Sequence, residues 1–118
     1  MLGRVELRNR DRDAEPFTTK DGSEIRELMH AAKQSLAEAI VAPGQVTERH
    51  YHVASEELYY VLEGSGELEL DGELRRVGPG DAVLIPPGAR HSFTGGPGGA
   101  RFLCCCAPPY SHDDTVLS

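Results

Sequence analysis

The chain has 118 residues, 39% of them hydrophobic, with 12 basic and 19 acidic residues for a formal net charge of −7. This length supports one hydrophobic core and is too short for two. The acidic balance, without a basic cluster, argues against nucleic acid and anionic membranes as partners. No apolar run approaches the ~20 residues of a membrane span, and the first six residues lack the apolar core of a signal peptide, so we expect no membrane association.

Residues 1–33 are predicted to form an N-terminal arm with short strands. Val5 and Leu7 alternate with charged residues, which favours an edge strand ending near residues 11–13. Asp21-Gly22 has the composition of a turn. Residues 23–29 then alternate weakly, although their Glu, Leu and Met content is equally compatible with a short helix.

Residues 34–107 contain short apolar segments separated by glycine and proline turns. Strands are predicted over residues 35–42, 45–53, 57–63, 64–70, 74–77, 82–85, 91–94 and 101–107. Asp71-Gly72 predicts a tight hairpin turn, and residues 95–99 predict a glycine-rich loop. Because almost no helical periodicity is present, the segment predicts an all-β sandwich or barrel. A polar tail over residues 108–118 is expected to lie on the surface.

Three cysteines follow one another as Cys104, Cys105 and Cys106. An odd number cannot all pair, and neighbours on a strand point to opposite faces, which is poor geometry for a disulfide. Free thiols in this number are typical of a reducing compartment. We therefore expect a cytoplasmic protein.

Two histidines and a glutamate form a candidate metal site. His50 and His52 are two residues apart, so on a strand both rings point to the same face. Glu57 follows after a short polar turn, at the head of an apolar run. Such donors from neighbouring strands suit a divalent metal such as Mn, Fe, Ni or Zn, although an isolated His-x-His is equally compatible with solvated histidines. A third histidine, His91, ends a second ordered segment that starts at Gly80.

The two segments together resemble the two motifs of the cupin superfamily. The first, Gly-x5-His-x-His-x4-Glu-x6-Gly, is matched by Gly44, His50, His52, Glu57 and Gly64. The second, Gly-x5-Pro-x-Gly-x2-His-x3-Asn, is matched by Gly80, Pro86, Gly88 and His91, with Gly95 in place of the final Asn. That Asn is not a metal ligand in the family. The resemblance, to small RmlC-like cupins, implies a single-domain double-stranded β-helix, a jelly-roll barrel, with a divalent metal held by His50, His52, Glu57 and His91.

Strand alternation sorts the side chains around this site. If the histidines point into the barrel, Glu57, Tyr59 and Val61 share the inward face, and Leu58, Tyr60 and Leu62 face outwards. The family allows two spacings, so Glu56 competes with Glu57 as the ligand. Glu57 is preferred because it keeps the six-residue gap to Gly64 and opens the apolar run.

Other side chains near the motifs are candidates for catalysis or contact with substrate. Glu48 is either a general base beside the metal or a rim carboxylate in water. Tyr59 either positions a substrate or packs as a barrel aromatic. Cys104 and Cys106 share a face and either contact the pocket or pack as small hydrophobes. The two histidines outside the motifs, His30 and His112, are interpreted as surface residues.

Four protein donors leave two positions of an octahedral metal open, which is typical of a catalytic site. Such a site suits a bidentate 2-oxo acid, enediol or sugar hydroxy-carbonyl, or one oxygen donor plus O₂. We favour a metal-dependent enzyme, either a dioxygenase or a sugar or keto-acid isomerase or lyase. The alternative is a non-catalytic cupin that binds a small ligand or a metal. The outward apolar residues resemble those of dimeric cupins, so a homodimer is expected.

Overall fold

The computed structural model describes residues 3–118, so the first two residues of the predicted arm lie outside it. Its strands are β1 (Pro16–Thr18), β2 (Glu24–His30), β3 (Ser35–Val41), β4 (His50–His52), β5 (Glu56–Leu70), β6 (Glu73–Val77), β7 (Ala82–Ile85), β8 (His91–Ala107) and β9 (Thr115–Leu117). The helical element of the described residues, α1, is the single turn Arg10–Asp13. No helix in this range is long and apolar enough to span a membrane.

The long strands β5 and β8 lie at the centre of the sheet. They pair antiparallel from Glu56 opposite Ala107 to Leu70 opposite His91. β6 and β7 pair with β5, and β3 pairs with β8 and continues the sheet through β2 to β1. β4 pairs with both β8 and β9. This curled antiparallel sheet confirms the predicted all-β class and a single domain, and it is consistent with a jelly-roll barrel.

Side chains alternate across β5 as the sequence predicts. The inward residues Glu57, Tyr59 and Val61 are buried. Their outward neighbours Leu58 and Tyr60 are about half exposed. Inside the barrel, the ring of Phe102 lies 4.8 Å from that of Tyr59 and 4.9 Å from that of Phe93, measured between centroids. These aromatics form part of the hydrophobic core, together with aliphatic residues of β3, β5 and β7.

The glycine-rich loop predicted at residues 95–99 is wrong, because these residues continue β8 without a break. A Cβ on Gly95 would collide with the carbonyl oxygen of Ala42, and one on Gly96 with the hydroxyl of Ser65. Glycine therefore permits a close approach of neighbouring backbone inside the sheet, whereas composition alone indicates a loop. The two strands predicted on either side are a single strand, as are those predicted at 57–63 and 64–70.

The edge strand predicted around Val5 and Leu7 is also wrong, because these residues belong to no strand and are almost fully exposed. The following residues form α1 instead, where the Asn9 side chain accepts hydrogen bonds from two backbone N–H groups of the turn. Arg10 then pairs with the buried carboxylate of Glu38 on β3, with N–O distances of 2.8–2.9 Å. The segment before β1 thus packs on the barrel of its own chain.

Three further segments differ from their predictions or resolve an alternative that the sequence left open. Residues 24–30 form β2 rather than the competing helix, because they pair with β1 on one side and β3 on the other. The region 45–53 is mostly irregular and only His50–His52 forms a strand. The tail expected to lie on the surface instead contributes β9, whose Thr115 is buried opposite His52.

Replacing Gly64 by alanine tests how strongly the sheet depends on close backbone approach. Gly64 (φ 77°) and Gly72 (φ 90°) both lie in the left-handed region, so alanine costs about 1–2 kcal/mol at either position. Only at Gly64 would the new Cβ collide with backbone, that of Gly99, whereas nothing lies within 4 Å at Gly72. We expect Gly64→Ala to lower the free energy of unfolding by about 2 kcal/mol more than Gly72→Ala in urea denaturation. Equal losses of unfolding free energy in the two variants would show that the sheet accommodates a Cβ between Gly64 and the backbone of Gly99.

Candidate metal centre

Three histidines from two strands meet inside the barrel. His50 and His52 lie two residues apart on β4, and His91 opens β8 directly opposite His50. The three rings are 1–4% exposed, and one nitrogen of each lies within 4.8 Å of the others. The local sequence explains this placement, because alternate residues of β4 share one face and the antiparallel pairing with β8 brings His91 to that face.

The ring orientation of each histidine is fixed through Nδ1. His50 Nδ1 donates to the carbonyl oxygen of Glu48 and His91 Nδ1 to that of Ala89, both at 2.9 Å. His52 Nδ1 lies 3.1 Å from the hydroxyl oxygen of Thr115, which itself donates to a backbone carbonyl and so accepts from the ring. With Nδ1 protonated in all three rings, Nε2 carries the lone pair that binds a metal.

Glu57 places a carboxylate beside these nitrogens. Its Oε1 lies 3.3 Å from His52 Nε2 and 3.5 Å from His91 Nε2. Burial raises the pKa of Glu57, but the two imidazoles beside its carboxylate outweigh this effect and lower the pKa to about 2. The carboxylate is therefore ionised at neutral pH. Glu56, the competing residue, is exposed on the opposite face of β5.

The two histidines of β4 differ in their electrostatics. Burial lowers the pKa of His50, and the neighbouring His91 lowers it further. Burial also acts to lower the pKa of His52, but the Glu57 carboxylate outweighs it and the net shift is upward. His50 thus stays neutral more readily than a free imidazole, whereas the Glu57 carboxylate favours the protonated form of His52.

Three buried atoms of the cluster have no hydrogen-bond partner among the described residues: His52 Nε2, Glu57 Oε1 and His91 Nε2. An unsatisfied buried polar group costs about 1–3 kcal/mol, so such atoms rarely collect at one point without a ligand. Imidazole nitrogens with one carboxylate oxygen are suitable donors for a borderline divalent transition metal. The residues present therefore fit a metal of this kind.

The cluster opens into a cavity of about 50 Å³ inside the barrel. Tyr59 reaches it from β5, and its pKa is raised well above the usual value by burial and by the nearby Glu57, so its hydroxyl stays protonated. Glu48, by contrast, is exposed and does not line the cavity; only its backbone carbonyl contacts the site, through His50. That position in solvent gives its carboxylate no contact suited to catalysis at this centre.

The cysteines that share a face, Cys104 and Cys106, both line the cavity and are buried. The Cys106 thiol donates to Glu57 Oε2 at 3.3 Å, which leaves Oε1 facing the histidines. Burial raises the pKa of both thiols, and Glu57 raises them further, so neither is an activated nucleophile. All three cysteines are free; the cytoplasmic location inferred from them stays a prediction.

Sequence reasoning missed Asp21 and Thr115, which both line the cavity. Asp21 Oδ2 lies 3.7 Å from His50 Nε2, although Asp21-Gly22 indicated only a turn. Thr115 orients His52 from a segment interpreted as a surface tail. No local pattern marks either residue, because their approach depends on pairing across the sheet. His30 and His112, in contrast, are exposed as expected.

Comparison with known proteins gives matches over most of the chain. A protein-family model described as the cupin domain matches residues 37–106. An uncharacterized protein of Methanocaldococcus jannaschii is 50% identical over 108 residues, covering 86% of each chain. The solved structure of the nucleoside dehydratase Pac13, from Streptomyces, superposes with a TM-score of 0.83 at 20% identity, covering 98% of this chain and 92% of that one.

Two relatives that match over a shorter segment are named as enzymes. Dimethylsulfoniopropionate lyase DddW of Ruegeria pomeroyi is 40% identical over 60 residues, covering 51% of this chain and 39% of the lyase. A 5-nitrosalicylic acid 1,2-dioxygenase of Bradyrhizobium sp. is 35% identical over 54 residues, covering 46% and 26%. Both matches cover well under two thirds of the relative, whereas the domain model and the archaeal relative cover most of this chain. On that basis the chain belongs to the cupin family.

Proposed function

We propose that this protein is a metal-dependent enzyme acting on a small oxygen-rich organic molecule, as a dioxygenase or as a sugar or keto-acid isomerase or lyase. One observation carries the proposal: three imidazoles and an ionised carboxylate converge at the inner end of a cavity, with three of their donor atoms unpartnered. If these groups had a purely structural role, their burial without partners would lower the stability of the fold and no interaction would compensate for it.

His50, His52, Glu57 and His91 would hold the metal, with Mn, Fe, Ni and Zn as candidates. When bound, such a metal polarises an oxygen of the substrate or supplies redox chemistry. The chain itself supplies a shielded site, because Phe93 and Phe102 line the cavity and exclude water. Tyr59 supplies a protonated hydroxyl that can donate to a substrate oxygen.

The relatives support an enzyme of this general kind. The partial relatives are a lyase and a dioxygenase, and the fold of the chain matches that of a dehydratase that has also been solved with uridine. Because a fold hosts many chemistries, these names support a small-molecule ligand rather than one reaction. The alternative, a non-catalytic binding module, would use the same donors without turnover.

Substitution of the histidines tests the metal site and, with it, the enzyme. We expect His50→Ala and His91→Ala to lower the metal content of protein purified without an affinity tag to well below one ion per chain, by elemental analysis. His112→Ala is the matched control and should retain wild-type content, because His112 is exposed and outside the cluster. Full occupancy in the His50→Ala, His52→Ala double variant would contradict the site.

The same preparations separate the candidate activities. Turnover of enediols, hydroxy-carbonyls or catechols should vanish on chelation and return with added metal. Consumption of O₂ would assign a dioxygenase, since isomerases and lyases do not consume it. Stoichiometric binding of these compounds without product would favour the binding module.

Glu57 and Glu56 provide a second test, since adjacent strand residues face opposite sides. Glu57→Gln keeps the shape but removes a negative charge from the donor set, so we expect metal affinity to fall by about tenfold or more in competition against a chelator. Glu56→Gln removes the same charge from an exposed position and should change affinity by less than about twofold. A larger loss for Glu56 would mean that the assignment is off by one residue.

We also propose a homodimer formed through the outer face of the sheet. Leu58 and Leu84 lie directly opposite each other on β5 and β7 and are about half exposed, with Tyr60 beside them. Such a contiguous apolar area on the surface is suited to a self-complementary interface between two copies.

Light scattering tests the dimer. The wild type should give twice the chain mass of 12.8 kDa, and Leu84→Asp should give the monomer mass, because a charge would be buried without a partner. Leu74→Asp makes the same change at an exposed position on β6 outside this area and should leave the dimer intact. A wild-type monomer across micromolar concentrations would exclude the dimer.

A further inference from the structure

The charges around the cavity are of one sign. Its lining residues, all within the described part of the chain, include three carboxylates and no lysine or arginine; the carboxylates are Asp21, Glu27 and Glu57. The basic residues next to Asp21 and Glu27 in the sequence are bound to backbone carbonyls instead. Lys20 donates to the carbonyl oxygens of His112 and Thr115, and Arg26 donates to that of Ala14. Outside the histidine cluster, no lining side chain is therefore suited to neutralise an anionic ligand.

Asp21 is held firmly, with one oxygen turned into the cavity. Its Oδ1 accepts hydrogen bonds from the Thr19 hydroxyl at 2.7 Å and from the backbone N–H and hydroxyl of Ser23 at 2.9 and 2.6 Å. Its Oδ2 faces His50 Nε2 at 3.7 Å, and the side chain is only 13% exposed. The hairpin turn thus fixes a carboxylate oxygen beside the donor cluster, where it can accept a hydrogen bond from a ligand.

Glu27 places a further carboxylate at a partly exposed position of the cavity lining. It lies on β2 and is partly exposed, with its Oε2 3.2 Å from the Nδ1 of the exposed His30. Among the described residues, His30 is the only ionic partner of Glu27. The partly exposed side of the lining is therefore acidic as well. An anion that approaches past Glu27 meets a like charge.

A divalent metal at the centre would leave no net positive charge for a substrate to neutralise. The metal would bring two positive charges, and the carboxylates of the buried Glu57 and the mostly buried Asp21 bring two negative ones, while Glu27 adds a third. Sites that bind carboxylate or phosphate groups normally supply arginine or lysine for charge-assisted hydrogen bonds. An additional anionic group here would be enclosed with carboxylates and no compensating cation.

We propose that the cavity selects a small molecule that carries no anionic group and presents a hydroxyl or amine hydrogen to Asp21 Oδ2. This inference rests on the proposed function and narrows its substrate class. Among the bidentate ligands that suit the metal donors, it favours uncharged diols, enediols and hydroxy-carbonyls over 2-oxo acids and other carboxylates. Asp21 is thereby a specificity-determining residue of the site, supplied by the hairpin before β2.

Binding of two small chelators to cobalt(II)-loaded protein tests this selection. Oxalate is a dianion, whereas hydroxyacetone is an uncharged hydroxy-carbonyl with a hydroxyl hydrogen to donate; the visible spectrum of cobalt reports binding of either without any turnover. Cobalt content is measured first, and affinities are expressed per loaded site. Asp21→Asn keeps the shape of the side chain and removes its charge. Glu24→Gln is the control, because Glu24 is exposed on β2 and outside the cavity lining.

We expect Asp21→Asn to bind oxalate about tenfold or more tightly than the wild type, because one like charge near the ligand is removed. Its affinity for hydroxyacetone should not rise, and Glu24→Gln should match the wild type with both probes. Loaded Asp21→Asn that binds oxalate no better than the wild type, or gains equally with both probes, would overturn this inference alone. Wild-type protein that takes up no cobalt would overturn the proposed function as well.

Discussion

The register between β5 and β8 is the constraint on which the rest of the molecule depends. This pairing fixes Glu57 opposite Cys106 at one end and His91 opposite Leu70 at the other. Because side chains alternate with a period of two, a slip of one residue would bring Glu56 inside and turn Glu57 into solvent. The register is secured by the apolar residues that share the inward face of both strands, so the same packing that stabilises the barrel also places the metal donors.

The donor cluster reduces the stability that this packing provides. Three donor atoms are buried without partners, and an ionised glutamate lies in the interior of the barrel. Each group that stays unsatisfied reduces the small net stability of a domain of this size. Ligands that bind only the folded state return that free energy, which couples the stability of the barrel to the occupancy of its site. A site of this kind is preorganised because the surrounding sheet leaves the donors no alternative position.

The sequence predicts the core of the site well and its edges poorly. His50, His52 and His91 were identifiable from the spacing of the two motifs, and the gap to Gly64 and the start of the apolar run favoured Glu57 over Glu56, because both are local properties of the sequence. Asp21 and Thr115 could not be found in this way, since Asp21 is placed by the packing of the β1–β2 hairpin and Thr115 by the pairing of β9 with β4. The glycines of β8 were misread for a related reason: their role is to admit the backbone of Ala42 or the side chain of Ser65, and only the folded sheet contains that contact.

The hydrogen bond between His52 and Thr115 ties one donor of the centre to a distant part of the chain. These residues are 63 positions apart, so the contact that orients the ring of His52 exists only when β9 is paired with β4. Loss of that pairing would therefore disturb the donor cluster directly, although no residue of β9 belongs to the cluster.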